Sequence, residues 1–204
     1  MPVTPLDAAT DVMSRARGLL TLDVASTPQI LREDLRRAAL AFGVASLDTY
    51  MHWAIRTTAL DGPLPKKLAE LEVPFGDMLA IARDAVTARQ DDVNHRPTVK
   101  ARNALGKALV TQTFQSPRSI ERGLQMLGKT NVWSRLASQL PPATAVDLKE
   151  RLGNIAYRRN KIVHEGDLTR LQRPQKIKYE QITAAQVADD LDWLEAFIKA
   201  LAAL

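Results

Sequence analysis

Arg159, Asn160 and His164 lie close together in the sequence and carry the groups that metal-free cleavage of RNA requires. The RNA supplies its own nucleophile, the 2′-hydroxyl, so no serine or cysteine is needed. His164 would act as general base on that hydroxyl or as acid on the leaving 5′-oxygen. Arg159 would stabilise the charge of the phosphorane, and Asn160 would orient a hydroxyl, a phosphate or the imidazole. These three residues are the candidate catalytic residues.

A long helix is predicted to carry this trio, from about Ala143 to Glu165, with Gly166 as its C-cap. Its apolar stripe follows alternating spacings of four and three residues, and Arg159 occupies the one position of the stripe that is not apolar. The apolar members are Leu148, Leu152, Ile155 and Ile162. A guanidinium on such a stripe costs free energy unless an anion pairs with it. The alternative is an arginine whose stem covers apolar surface while its head reaches water.

The relative directions of Arg159 and His164 are set by the helical repeat. Asn160 and His164 are four residues apart and share a face. Arg159 and His164 are five apart, which is about 140° around a helix. They converge only if the helix ends early or if the arginine side chain reaches round. One histidine also leaves a second proton transfer unassigned, and a twofold homodimer would bring two such sites together.

A second long helix is predicted to run to about Leu60, and Ser26-Thr27-Pro28 is expected to supply its N-cap, with the proline in the first helical turn. Its middle, residues 38–55, is apolar on nearly every side and should be the central buried helix. Asp48 lies within this stretch and needs a partner. His52, one turn later, is one candidate, and Arg159 from the other helix is another. Asp48 then either holds two helices together or helps to position the side chains of the candidate site.

The remaining pattern predicts an all-α fold of the up-and-down bundle type, with a single domain over residues 1–204 and extra helices in the middle. Helical segments are indicated at 5–22, at 65–90 with an interruption at Pro74, and at 98–115. Ser116-Pro117 begins a further helix that ends at Gly128, and a short piece surrounds Trp133. The last helix begins at Thr183, where a capping box with Gln186 is expected.

Positive charge is concentrated in residues 149–178, which hold nine basic and three acidic residues and so carry +6, while the rest of the chain carries −1 and the total is +5. Such a surplus suits a phosphate-binding surface, although a solvated basic helix face has the same composition. The residues that we expect to bind RNA are Arg158, Lys161, Arg170, Arg173, Lys176 and Lys178.

Composition excludes several classes of protein. Hydrophobic residues make up 46% of the chain and charged residues 25%, as in ordinary globular domains. No stretch is long and apolar enough for a membrane span, and no signal peptide is visible. The chain has no cysteine, which fits the cytoplasm, and only three histidines, so we expect neither a metal centre nor a cofactor.

The segment from Arg158 to Asp167, which reads RRNKIVHEGD, resembles the signature of HEPN domains: an arginine, a polar residue, a few further positions and a histidine. Arg159-Asn160 with His164 fits this pattern directly. Arg158 also fits its length, but the residue that follows it is an arginine. The buried stretches 35–40 and 46–52, and Phe114-Gln115-Ser116-Pro117 with Ile120, resemble the RiboL-PSP type of HEPN domain.

The resemblance implies a helical homodimer with metal-independent endoribonuclease activity, of a family that includes toxins, antiviral effectors and RNA-processing enzymes. It assigns Arg159, Asn160 and His164 to the active site and Asp48 to an acidic position on the core helix, with Tyr50 and His52 as supporting residues. RNA and an antitoxin or regulatory protein are the expected partners. Two alternatives remain: a non-catalytic helical interaction module, such as an antitoxin, adaptor or nucleotide-binding partner, and a helical transcription regulator.

Overall fold

The computed structural model describes residues 2–90, 97–169 and 176–204, except for the side chains of residues 88–90. Within these ranges the chain is helical, and the extended pairing found there is an isolated bridge between Leu168 and Tyr179. The prediction of an all-α fold is confirmed. The helices are α1 (Pro5–Thr21), α2 (Gln29–Arg56), α3 (Lys66–Ala69), α4 (Phe75–Gln90), α5 (Pro97–Val110), α6 (Pro117–Met126), α7 (Val132–Gln139), α8 (Ala145–Glu165) and α9 (Ala184–Ala202).

Helix α2 is the central helix, as its apolar middle predicts, and it packs against α1, α5, α6, α8 and α9. Its ends differ from the prediction. Pro28 occupies the N-cap position itself and no side chain caps the helix, so the expected caps at Ser26 and Thr27 are wrong. The helix ends at Arg56 rather than near Leu60, and the Thr57 hydroxyl donates a hydrogen bond to the Trp53 carbonyl in this last turn.

The closest approach between α2 and α9 occurs at Gly43. A Cβ atom placed on Gly43 would lie 2.2 Å from Cδ2 of Leu191, well inside van der Waals contact. Leu191 and the neighbouring Leu194 are completely buried. The absence of a side chain at this one position therefore sets the spacing of two core helices.

Helix α8 has strong local signals at both ends. Thr144 accepts a hydrogen bond from the backbone N–H of Asp147, and the Asp147 carboxylate accepts from the Thr144 N–H, which forms a capping box. Gly166 is the C-cap with a φ of 61°, as the sequence predicts. Asp167 follows with a φ of 59°, so two left-handed residues turn the chain directly after the helix.

Helix α9 begins as predicted. Thr183 is its N-cap and forms a capping box with Gln186, while Ile182 and Val187 are both buried on either side of it. Further along, Phe197 stacks between Trp133 and Trp193, at centroid distances of 6.2 and 4.9 Å. These aromatic side chains anchor α7 and α9 in the core.

Candidate active site

The guanidinium of Arg159 lies against Asn160 and has no acidic partner among the residues that the structure describes. Its Nη1 donates a hydrogen bond of 3.1 Å to Oδ1 of Asn160. Its Nε is buried and has no hydrogen-bond partner within that part of the chain. A buried N–H without an acceptor costs free energy, and the binding of an anion by this guanidinium stays a prediction.

Asn160 connects Arg159 to the face that carries His164. Helix α8 stays regular through Glu165, so it does not end early, and the backbone leaves positions 159 and 164 about 140° apart. The hydrogen bond to Asn160 turns the guanidinium toward the face that Asn160 and His164 share. His164 is exposed, and its imidazole makes no hydrogen bond within the described ranges.

Arg158, the other arginine that fits the motif length, is bound within the fold. Its Nη2 donates to Oδ2 of Asp167 at 2.8 Å and to the carbonyl of Gln181 at 3.0 Å. Asp167 is completely buried and also accepts a 2.9 Å hydrogen bond from Nε of Arg37. Of the two adjacent arginines, Arg159 is therefore the one whose charge is not paired with a carboxylate of the described residues.

Arg158 belongs to an arginine network, which we define as Arg36, Arg37 and Arg158 with the carboxylates Asp23 and Asp167. Arg36 donates to Oδ2 of Asp23 at 2.6 Å and to the carbonyl of Ile182 at 3.0 Å. Arg37 bonds both Asp167 and the carbonyl of Glu180. Two adjacent side chains of α2 thus bind the loop after α1, the turn after α8 and the backbone just before α9.

The charges of this network stabilise one another. The hydrogen bond from Arg36, followed by that from Arg32, holds the pKa of the Asp23 carboxyl below its ordinary value, although burial acts against this. The pKa of Arg37 is raised, because its bonds to Asp167 and Asp34 outweigh the burial of the guanidinium. Sequence reasoning missed the role of Arg36 and Arg37. Two adjacent arginines before the apolar middle of the central helix were the available signal.

The cations expected to bind RNA fall into three groups. In the first group, Lys161, like Arg158, is bound within the fold. Lys161 is buried, and its Nζ donates a 3.0 Å hydrogen bond to Oε1 of Glu180. Lys176 and Lys178 are exposed. Arg170 and Arg173 lie outside the described residues. Contact of these six side chains with RNA stays a prediction.

Asp48 holds the segment between α5 and α6 rather than Arg159. Its Oδ1 accepts a hydrogen bond of 2.6 Å from the Phe114 N–H, and its Oδ2 accepts one of 3.0 Å from the Gln115 amide. Helix α5 ends at Val110, before the predicted Gln115, because the residues near 114 turn back to α2. The expected alternative of an ion pair between Asp48 and Arg159 is not formed.

His52 and Tyr50 lie on the same helix as Asp48. His52 Nε2 is 3.2 Å from the carbonyl oxygen of Gln112 and 3.6 Å from Oδ1 of Asp48, and its ring packs edge-on against Phe114. Tyr50 is buried, and burial raises the pKa of its phenol, so it stays protonated at neutral pH. Support of the candidate trio by these two residues stays a prediction.

A polar cleft of about 330 Å³ lies beside Arg158, between α8 and α9, and neither Arg159 nor His164 lines it. Asp190 borders this cleft, and burial together with the nearby Asp189 charge raises the pKa of its carboxyl. Within the described ranges, no group of three or more histidine, aspartate or glutamate side chains is placed to hold a metal ion. None of the helices in those ranges has the length and apolar character to cross a membrane.

No protein-family model matches the chain, and it has no match among curated proteins or solved structures. The resemblance to HEPN domains therefore stays a prediction from the sequence motif.

Proposed function

We propose that this protein is a metal-independent endoribonuclease whose catalytic residues are Arg159, Asn160 and His164. One observation carries the proposal. The Arg159 guanidinium has no acidic partner within the described chain, leaves a buried N–H unpaired, and turns to Asn160 on the face of His164. A phosphate group bound at the guanidinium would supply the missing negative charge.

The chemistry uses the RNA itself as the nucleophile. The imidazole of His164 takes the proton of a 2′-hydroxyl, and that oxygen attacks the adjacent phosphorus while the bond to the 5′-oxygen breaks. Arg159 stabilises the charge on the phosphorane oxygens, and Asn160 orients Arg159 through the hydrogen bond from Nη1. The products are a 2′,3′-cyclic phosphate and a 5′-hydroxyl.

A second copy of the chain would complete the proton transfers. One histidine per chain serves the nucleophile or the leaving group, and the 5′-oxygen needs a proton when it departs. A twofold dimer in which the exposed faces around His164 meet would supply a second imidazole. We propose that the active form is this homodimer, acting as a toxin or antiviral effector under the control of an antitoxin or regulatory protein.

Incubation of the purified protein with single-stranded RNA in EDTA tests the activity. We expect cleavage that leaves 2′,3′-cyclic phosphate ends, and a fall of about 10²- to 10⁴-fold for His164→Ala and for Arg159→Ala. Arg151→Ala is the matched control, because Arg151 lies on the same helix but pairs with Asp189. It should keep the wild-type rate.

Three results would contradict this chemistry. Cleavage that stops in EDTA and returns with magnesium points to a metal-dependent nuclease. A substrate with a 2′-deoxy nucleotide at the cleaved position should resist the enzyme, and its cleavage would exclude attack by the 2′-hydroxyl. Equal activity of wild type and His164→Ala would remove the histidine from the mechanism.

A second candidate function, a helical interaction module, is favoured by an apolar groove of about 330 Å³ between α3, α4 and α5. The groove is lined by Leu64, Leu68, Met78, Ile81 and Leu105 among others. Phe75 and Met78 are exposed beside it, and exposed apolar surface of this kind is typical of protein contacts. Intact RNA together with recovery of a stable protein complex that Met78→Asp disrupts would favour this function.

A further inference from the structure

Tyr157 is an exposed aromatic side chain on the face of α8 that carries His164. Its side chain is 63% exposed, although it lies in a helix whose opposite face is buried in the core. Positions 157 and 164 are seven residues apart, which places them within about 20° of each other around the helix. Asn160 lies between them. Tyr157 and His164 are therefore aligned along this face, and their positions are about 10 Å apart along the helix axis.

The space beside the ring is open. A tyrosine in a helix leans toward the preceding turn, and the residue one turn before Tyr157 is Gly153. A Cβ placed on Gly153 would meet no heavy atom within 4 Å. No side chain of that position therefore covers the ring, and a flat group can lie against it.

Other aromatic rings of this region are already in contact with the fold. Tyr179 lies under the guanidinium of Arg37, at 5.3 Å. Trp133 and Trp193 stack on Phe197 and also face Lys149 and Arg151. Tyr157, by contrast, is on the face that carries His164 and has no ring or cation partner among the described residues.

We propose that Tyr157 stacks on an unpaired base of the RNA strand whose phosphate is bound by Arg159. The Arg159 side chain leaves the helix about 160° away from Tyr157, but its guanidinium bonds Asn160, which lies between Tyr157 and His164 along the helix. An exposed aromatic ring and a guanidinium without an acidic partner among the described residues offer the two contacts by which proteins hold single-stranded nucleic acid, stacking on the base and charge on the backbone. Bases in a duplex are stacked on one another and cannot reach the ring, so the substrate is single-stranded or looped RNA. This inference rests on the proposed function.

A binding measurement tests the stacking contact. The probe is a fluorescent single-stranded RNA with one 2′-deoxy nucleotide at the mapped cleavage position, so that it binds but is not cleaved. We expect Tyr157→Ala to weaken binding about 5- to 150-fold, while Tyr157→Phe keeps most of the affinity. Val146→Ala is the matched control, because Val146 is also exposed on this face of α8, three turns earlier, and should bind RNA as the wild type does.

A double-mutant cycle identifies the stacked base. Abasic nucleotides are placed one at a time on either side of the cleavage position, and each RNA is measured against wild type and Tyr157→Ala. At the stacked position the abasic RNA should lose affinity for the wild type only, and Tyr157→Ala should cost nothing further. Additive losses at every position would overturn the inference, as would equal affinity of Tyr157→Ala and wild type.

The two proposals fail in different ways. If wild-type protein does not cleave RNA in EDTA, the proposed function fails and the binding data are not needed to show it. If cleavage occurs but Tyr157→Ala leaves binding unchanged, only the stacking contact is wrong. A change in oligomeric mass on Tyr157→Ala, without a change in affinity for RNA, would assign the ring to a protein interface and would also overturn the inference.

Discussion

Arg158 and Arg159 are neighbours in the sequence, yet the fold uses their charges in opposite ways. Arg158 donates to the buried Asp167 and to a backbone carbonyl. Arg159, about 100° further around the helix, meets only the neutral amide of Asn160 among the described residues. The difference teaches that charge density along a segment does not identify a binding surface. A cation that the fold already pairs with a buried acid is less available to a ligand than one without such a partner.

The two regions also differ in what their charges do for stability. In the arginine network, Asp167 has no exposure to solvent and receives hydrogen bonds from two guanidinium groups. Removal of Asp167 would deprive Arg158 of its carboxylate partner among the described residues and leave Arg37 with only its more exposed partners Asp34 and Glu33, and breaking a buried pair in this way is costly. Among the described residues Arg159 has no acidic partner to lose, so no ion pair there offsets the cost of its partial burial.

The largest effect on stability is expected from Asp167→Ala. This change leaves Arg37 and Arg158 without their shared carboxylate, and it should lower the free energy of unfolding by about 3–5 kcal/mol, measured by urea denaturation. The control is Arg15→Ala, which breaks an exposed pair with Asp11 one turn away in α1 and should cost less than about 1 kcal/mol. Equal costs for the two variants would show that burial of the pair does not matter.

The next effect concerns pH. The pKa of the Asp23 carboxyl is held below its ordinary value of 3.8 by Arg36 and Arg32, so the folded state binds this proton less tightly than the unfolded state. Asp23 therefore contributes stability that is complete above about pH 3.8 and is lost as the pH falls through its lowered pKa. Unfolding measured at a series of pH values should show a smaller loss at acid pH in Asp23→Asn.

Asp190 provides the opposite case for the same measurement. Burial raises the pKa of its carboxyl, so the stability linked to its proton is present below about pH 3.8 and is lost as the pH rises through the raised pKa. Asp190→Asn should therefore be most favourable at neutral pH. Parallel pH curves for Asp23→Asn and Asp190→Asn would contradict the assignment of these two carboxyls.

The smallest effect on stability is expected at the candidate site itself. Arg159→Ala should change the free energy of unfolding by less than about 0.5 kcal/mol, because no ion pair is lost within the described residues and one buried, unpaired N–H disappears. Such a small change in the free energy of unfolding, together with a large loss of RNA cleavage, would show that Arg159 serves function rather than folding. A cost as large as that of Asp167→Ala would place Arg159 in the architecture instead.

Local signals predict much of the fold. The capping box at Thr183, the cap at Ser116 and the left-handed glycine at 166 each mark a helix end within a few residues, and all three are where the sequence places them. The apolar middle of α2 likewise predicts its central position. These features depend on residues one to four positions apart, which a sequence displays directly.

Contacts between distant residues could not be predicted in the same way. Asp167 bonds Arg37 across 130 positions, and Asp48 bonds Phe114 across 66. No periodicity links such pairs, so the sequence left both His52 and Arg159 open as partners of Asp48. The same holds for the two adjacent arginines of α8, because whether a cation meets an acid is decided by the packing of other elements.

The glycine at position 43 has a consequence for how the molecule can move. The Leu191 side chain of α9 fills the space on α2 that a methyl group at Gly43 would occupy. A shift of α9 along α2 would therefore require Leu191 to leave this packed position. We therefore expect the two helices to move together. The short left-handed turn at Gly166 and Asp167, which adjoins the candidate site, lies outside this close contact.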